Sequence, residues 1–243
     1  MLALVLATAG GARAAGLYLH VLPVTHRSDV RLDAPGLRVS AFAADPRALA
    51  ERFASGVEAV APDHVELSLE SYPQLHPLGA EGFRAASFVI DFEEPGLAAL
   101  RDRLVGADTS DAALRRLADQ AIPDKTLARG WDLASRVASS GSGDCSEHAV
   151  LLTALARAAG RPARVALGLL LVQQAGGVYA FGHAWSELYH AGRWVPVDAT
   201  PVPQQVDAVA YLPTAILLDE GPGYAIELAR GMQSTWVQRV EVR

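Results

Sequence analysis

The chain has one cysteine, and the residues around it favour a reactive thiol. Cys145 follows the segment 139–143 (SSGSG) and lies within 144–147 (DCSE), which has the form of a helix capping box. The box predicts that Cys145 occupies the first helical position, where the positive end of the helix favours a thiolate. The carboxylates of Asp144 and Glu147 oppose this effect, so activation of the thiol needs a cationic partner. An inert buried thiol is the alternative.

A histidine that lies near an aspartate across a predicted tight turn could supply this cationic partner. If the hairpin loop is Ala191-Gly192, then His190 pairs with Arg193, and His183 lies diagonally opposite Asp198 on the same face. A shift of one residue would place the two side chains on opposite faces. Taken singly, His183 could equally be a buried core histidine and Asp198 a turn residue at the end of a strand.

Together the three residue types predict acyl transfer by a nucleophilic cysteine. Cys145 would attack a carboxamide or peptide carbonyl, His183 would act as the base, and Asp198 would orient it. The backbone N–H of Cys145 could hold the oxyanion, with a second donor from upstream, for which Gln120 and Trp131 are candidates.

The chemistry proposed needs no cofactor, and the sequence predicts none. A metal site built from Cys145, His148 and His183 has suitable ligand types but lacks the spacing typical of zinc. A packing or hydrogen-bonding role is the simpler interpretation of His148. No acidic loop of the calcium-binding kind is recognisable.

The apolar pattern predicts an α+β fold, since helices precede a run of antiparallel strands. Helical spacing predicts a helix from Asp45-Pro46 to Val60, helices between 110 and 139 that Pro123 interrupts, and a packed helix over 145–159. Alternating or β-branched runs predict strands at 65–70, 83–92, 164–172, 178–189 and 194–199. The segment 139–143 is expected to be a flexible connector.

Composition excludes some partners. The formal net charge of -6 and the absence of basic clusters argue against nucleic-acid binding. No apolar run reaches the length of a membrane-spanning helix, so no integral membrane segment is expected. One cysteine allows no intrachain disulfide. The oligomeric state has no signature in the sequence.

Four segments, in this order, resemble the transglutaminase-like superfamily. They are 143–152 (GDCSEHAVLL), 159–164 (AGRPAR), 183–185 (HAW) and 194–200 (WVPVDAT), and the resemblance covers about residues 110–205. It implies a papain-like core in which a central helix packs on an antiparallel sheet. It also implies a catalytic triad of Cys145, His183 and Asp198 that forms a thioester with a protein or peptide substrate.

The acyl acceptor leaves three functions open. Transfer to water would make the protein a peptidase or amidase, which the resemblance favours. Transfer to a lysine amine would make it a cross-linking transglutaminase. A non-catalytic binding module on the same fold is the third possibility.

The chain is expected to divide into three parts. Residues 1–15 form an apolar leader with the small-residue pattern Ala12-Arg13-Ala14, typical of a cleaved signal peptide, which predicts a periplasmic or secreted protein. If the leader is not a signal, the protein is cytoplasmic. Residues 16–105 form a small α/β region of unknown role, and residues 106–243 form the transglutaminase-like domain.

Overall fold

The fold is α+β, as predicted from the sequence. The computed structural model describes residues 21–126, 131–224 and 237–243, so the predicted leader lies outside the described residues. The helices of these ranges are α1 Pro46–Ala50, α2 Ala98–Asp102, α3 Asp111–Ala121, α4 Ala134–Ser140 and α5 Cys145–Ala158. None of these helices is long and apolar enough to cross a membrane.

The described strands before α5 have two to six residues, whereas three of those that follow it have nine or more. The earlier strands are β1 Val21–Leu22, β2 Val24–His26, β3 Arg38–Ala43, β4 Phe53–Ser55, β5 Val57–Val60, β6 His64–Ser68, β7 Gln74–Leu75, β8 Asp124–Lys125 and β9 Ser142–Gly143. The later strands are β10 Ala163–Gln174, β11 Gly177–His190, β12 Arg193–Val197, β13 Ala208–Ile216 and β14 Val237–Val242.

Two five-stranded sheets organise the described chain. The main sheet is antiparallel and has the order β1-β11-β10-β13, with β12 paired to β11. The second sheet has the order β2-β14-β3-β6-β5, in which β2 and β14 run parallel. Strands from both sides of residue 105 share each sheet, because β1 joins the main sheet and β14 joins the second. The division of the chain into domains stays a prediction.

Helix α5 is the centre of the larger core. Its residues from Ser146 to Arg157 are buried, and its apolar side chains pack with Ala184 and Leu188 of β11. Two buried hydroxyl groups fasten the helix to this strand: Ser186 donates to the Ala149 carbonyl at 2.8 Å, and Thr153 donates to Ser186 at 3.0 Å. The helix that carries the cysteine is therefore fixed to the strand that carries His183.

Two sequence-based predictions for the N-terminal region were wrong. The helix predicted over 45–60 ends at Ala50 and gives way to β4 and β5. Gly56 separates these strands at a φ of +102°, and a Cβ there would meet Pro73 at 2.9 Å. The strand predicted over 83–92 is irregular, because Ser87 and Ile90 close a local turn.

Candidate active site

The predicted capping box is present at the start of α5. The N–H of Ser146 donates to Asp144 Oδ1 at 2.9 Å, and the N–H of Asp144 donates to Glu147 Oε2 at 2.9 Å. Cys145 is the first residue of the helix and is a half-buried free thiol. The sulfur atom therefore sits at the positive end of a rigid, buried helix.

The segment before Cys145 is not the flexible connector that the sequence suggested. Residues 142–143 form β9, which pairs in parallel with β8, and Ser142 donates to Asp124 Oδ2 at 2.8 Å. A Cβ at Gly143 would lie 2.3 Å from the Cβ of Glu147. The glycine is thus required by the close approach of the capping side chain, and it does not act as a hinge.

The hairpin after α5 has the predicted register. His190 pairs with Arg193 across Ala191-Gly192, and this register brings His183 Nε2 to 2.7 Å from Asp198 Oδ2. The His183 side chain is fully buried, and that of Asp198 is 6% exposed. An ion pair with so little solvent around it is screened weakly.

The Asp198 carboxylate is held by donors on both oxygens. The N–H of Thr200 donates to Oδ1 at 2.8 Å, and the hydroxyl of Tyr211 donates to Oδ2 at 3.0 Å. Burial by itself would raise the pKa of Asp198, but the charge of His183 and the hydrogen bonds from His183 and Thr200 hold it below its usual value. Asp198 therefore stays an anion at neutral pH.

His183 interacts with both Asp198 and Cys145. Burial alone would lower the pKa of His183, but the negative charges of Asp198 and of the Cys145 thiolate, with their hydrogen bonds, raise it to about 10. The structure thus brings together the three residues that the sequence singled out. An imidazolium in this position is the cationic partner that the thiol needs.

The carboxyl group of Glu147 does not counteract the thiolate as strongly as expected. Burial raises the pKa of Glu147 to about 8, against the hydrogen bond from the Asp144 N–H and with the help of the Asp144 charge. Because Glu147 keeps its proton at neutral pH, it adds little negative charge beside Cys145. The capping interaction remains, since it uses an oxygen as acceptor.

His148 has a hydrogen-bonding role. Its Nδ1 donates to the Asp144 carbonyl oxygen at 2.6 Å, and its Nε2 accepts from Lys125 Nζ at 2.7 Å. Burial and the Lys125 ammonium lower the pKa of His148, although the bond to Asp144 acts the other way. With both ring nitrogens engaged, His148 is poorly placed for a metal site with Cys145 and His183. Among the described residues, no group of three or more His, Cys, Asp or Glu side chains could hold a metal ion.

The two oxyanion candidates lie in different surroundings. Gln120 is exposed on α3, in a groove with Arg103 and Asp108. Trp131 is half-buried against the core cluster that Cys145 also contacts, and its carbonyl accepts from the Tyr224 hydroxyl at 3.1 Å. The second oxyanion donor stays a prediction.

Sequence reasoning missed the residues that hold Asp198 and His148 in place. Thr200 follows Asp198 by two residues, so an Asx-type contact could have been anticipated. Tyr211 lies on β13, which was not predicted, although residues 208–216 form an apolar run. Lys125 is the only lysine of the chain, and it reaches His148 from another element, which no local pattern reveals.

The comparison with known families agrees with this geometry. Residues 100–199 match the model of the transglutaminase-like superfamily. This part of the chain is therefore similar to that superfamily. Members of that superfamily are usually enzymes with a catalytic cysteine. A search of the curated proteins finds no match.

Part of the chain is similar to two solved structures. A proposed cysteine protease from Cytophaga hutchinsonii is 18% identical, with a TM-score of 0.42, over 63% of this chain and 55% of that chain. The periplasmic domain of TgpA from Pseudomonas aeruginosa, bound to ethylmercury, is 29% identical, with a TM-score of 0.33, over 42% of each chain. This chain therefore spans about half the length of the structures that it matches.

Proposed function

We propose that the protein is a cysteine-dependent hydrolase of peptide or glutamine carboxamide bonds. The observation that carries the proposal is the buried His183 ring, which interacts with the Cys145 thiol and lies 2.7 Å from Asp198. A protonated ring in this position stabilises a thiolate at neutral pH. Asp198 keeps the ring oriented and stabilises its charged form.

Acylation uses one proton from His183. The Cys145 thiolate attacks the carbonyl carbon and forms a C–S bond, while the carbonyl electrons move to the oxygen. The N–H of Cys145, at the N-terminus of α5, supports the oxyanion. When the oxyanion collapses, the C–N bond breaks, and His183 gives its proton to the leaving amine or ammonia. A thioester and a neutral imidazole remain.

Deacylation restores the starting state when water is the acceptor. Neutral His183 takes a proton from water as the water attacks the thioester, and the C–S bond breaks to release a carboxylic acid and the thiolate. If a lysine amine took the place of water, the product would be an isopeptide cross-link. The same residues serve both reactions, so the assay below must separate them.

Alkylation of the thiol tests the activated cysteine without a known substrate. Because Cys145 is the only cysteine, the intact mass reports this residue alone. An ordinary thiol at pH 6 is ionised in roughly one molecule of 300. We expect iodoacetamide at pH 6 to modify the native protein at least about tenfold faster than the same chain in urea. His183→Gln should remove the difference, while His190→Gln, on the same strand, should keep it.

A glutamine-containing peptide then assigns the acceptor. Wild type and Cys145→Ala are compared with and without an added primary amine, and ammonia release, peptide cleavage and amine incorporation are measured. We expect ammonia release or cleavage that needs Cys145 and continues without the amine. The sole lysine, Lys125, has a side chain that is 13% exposed, so self-cross-linking contributes little background.

Two results would contradict the proposal. Equal turnover by wild type and Cys145→Ala would exclude cysteine catalysis. A native thiol that alkylates no faster than the unfolded chain, in a protein without turnover, would indicate a binding module. Product formation that requires the amine would instead indicate a cross-linking transglutaminase.

We also propose that the protein is exported to the periplasm or secreted. The support is the leader over 1–15 with its Ala12-Arg13-Ala14 pattern. N-terminal sequencing of the protein from its native host should find Ala15 or a close neighbour first. An intact Met1 would contradict export.

A further inference from the structure

Tyr211 is a tyrosine of the main sheet whose hydroxyl reaches the Asp198 carboxylate. It lies on β13 and pairs with Leu170 of β10. The centroid of its ring is 5.1 Å from that of Trp185 and 6.5 Å from that of His183. Its hydroxyl donates to Asp198 Oδ2 at 3.0 Å. The phenol is therefore held in place by ring contacts as well as by its hydrogen bond.

The acceptor oxygen is the one that also binds His183. His183 Nε2 lies 2.7 Å from Asp198 Oδ2, and the Thr200 N–H occupies Oδ1. Three donors thus fix the plane of a carboxylate that has little access to water. Since two of them share Oδ2, the phenol competes with the imidazolium for the electron density of the same atom.

Solvent can approach this carboxylate from one side. Asp198 and Tyr211 both line a surface cleft of about 350 Å³, together with Arg115 of α3, Val202 and Val209. A carboxylate at the wall of a cleft can rotate to meet water unless its lone pairs are occupied. The hydroxyl of Tyr211 occupies one of them.

We infer that Tyr211 is a positioning residue of the proposed reaction: through its hydroxyl it fixes the Asp198 carboxylate, and thereby the ring of His183. The inference rests on the proposed function for its role in turnover. The effect of the Tyr211 hydroxyl on the interaction between Asp198 and His183 does not depend on which substrate is used.

Tyr211→Phe separates the hydroxyl from the ring. Phenylalanine keeps the contacts with Trp185 and His183 and removes the hydrogen bond to Asp198. Tyr179→Phe is the matched control, because Tyr179 packs in the same apolar cluster as Tyr211. A hydroxyl that matters only for packing or solubility would give the two variants the same phenotype.

The first readout is the titration of His183, which ¹⁵N imidazole NMR monitors in a Cys145→Ala background. This background removes the charge of the thiolate, and comparison with His183→Gln assigns the resonance. Without the phenol, Asp198 Oδ2 is a stronger acceptor for the imidazolium. We expect Tyr211→Phe to raise the pH of His183 deprotonation by about half a unit or more. Tyr179→Phe should leave it unchanged.

The second readout is turnover with Cys145 present, on the peptide that the acceptor assay identifies. We expect Tyr211→Phe to lower kcat by about tenfold with little change in KM, because the hydroxyl acts on the base and not on substrate binding. Tyr179→Phe should turn over like wild type.

The two readouts have separate failures. If the pH of His183 deprotonation in Tyr211→Phe is unchanged or lower than without the substitution, the inference is overturned, whether or not the protein is an enzyme. An altered titration with unchanged kcat would also overturn it, because positioning would then be without consequence. If wild type shows no cysteine-dependent turnover, the proposed function fails, and the titration alone decides whether Tyr211 controls the Asp198–His183 pair.

Discussion

At the scale of single residues, burial decides which side chains carry charge around Cys145. Burial and two anionic neighbours act in opposite directions on His183, and the neighbours prevail, so the ring is charged at neutral pH. Among the described residues, none of the groups that shift the pKa of Glu147 is a cation, and burial keeps Glu147 neutral. The imidazolium of His183 and the uncharged carboxyl group of Glu147 thus lie near the thiol.

The raised pKa of Glu147 makes a contribution to stability that depends on pH. In the unfolded chain Glu147 ionises near its ordinary value of 4.5, whereas in the folded protein it holds its proton to about pH 8. The native state therefore binds more protons than the unfolded state across this window, and stability falls as pH rises from 4.5 to 8. Glutamine can keep the capping bond and has no charge to bury.

We therefore expect Glu147→Gln to be more stable than wild type at pH 8 and close to it at pH 4.5. Urea unfolding at a series of pH values measures the difference. Glu93→Gln, an exposed glutamate, is the control and should track wild type. A gap between Glu147→Gln and wild type that stays constant from pH 4.5 to 8 would contradict this explanation.

At the scale of elements, the site depends on how closely α5, β11 and β13 approach each other. Ser186 and Thr153 tie α5 to β11. Strand β10 lies between β11 and β13, and its Gly168 pairs with His183 on one side and with Pro213 on the other. A Cβ at Gly168 would lie 2.1 Å from the Leu212 carbonyl oxygen and 2.9 Å from Trp185. The absence of a side chain lets Trp185 and β13 pack beside the histidine.

Gly168→Ala should therefore push β13 away from β10. Overpacking of this kind costs about 1–3 kcal/mol, and the displacement of Tyr211 and Trp185 should lower turnover as well. Thermal unfolding measures the loss of stability, and turnover of the peptide that the acceptor assay identifies measures the second effect. Gly223→Ala is the control, since among the described residues its Cβ would meet only Asp219, at 3.6 Å. Wild-type stability in Gly168→Ala would show that the contact relaxes at no cost.

At the scale of the whole molecule, the N-terminal region is bound to the sheet that carries the site. Arg164 and Glu187 form an ion pair in which both side chains are fully buried. Arg164 also donates to the carbonyl oxygens of Leu75 and Pro77, and the Tyr72 hydroxyl donates to Glu187. Trp185 donates to the Tyr72 hydroxyl at 3.0 Å. Residues 72–77 therefore help to hold the strand that carries His183 in place.

Removing one member of this ion pair leaves a buried, uncompensated charge. We expect Arg164→Met to destabilise the protein by about 3–5 kcal/mol, and Arg164→Met with Glu187→Gln to recover a large part of the loss. The control is Arg31→Met, which breaks the exposed pair with Asp33 and should cost less than about 1 kcal/mol. Denaturant unfolding measures all three. No recovery in the double variant would show that the loss comes from Arg164 packing instead of the stranded charge.

Local patterns in the sequence predicted the parts of the site that lie on a single element or a single hairpin. The capping box requires only residues 144–147, and the register of His183 against Asp198 follows from the two-residue turn at 191–192. Both were confirmed, because helix caps and tight turns are set by neighbouring residues. The long strands β10 and β11 were also predicted, since their buried aliphatic runs are continuous.

Contacts between distant elements could be decided only by the tertiary structure. The prediction of a helix over 45–60 was wrong because Leu49 and Phe53 fit a helical pattern and a strand pattern alike, and the close approach of Pro73 to Gly56 cannot be seen in a local pattern. The hydrogen bonds from Tyr211 to Asp198 and from Lys125 to His148 likewise cannot be predicted from the spacing of residues in the sequence. The sequence by itself determined which residues could react and the local geometry that presents them. Their charge states were decided by folding, because burial and neighbouring charges depend on elements far apart in the chain.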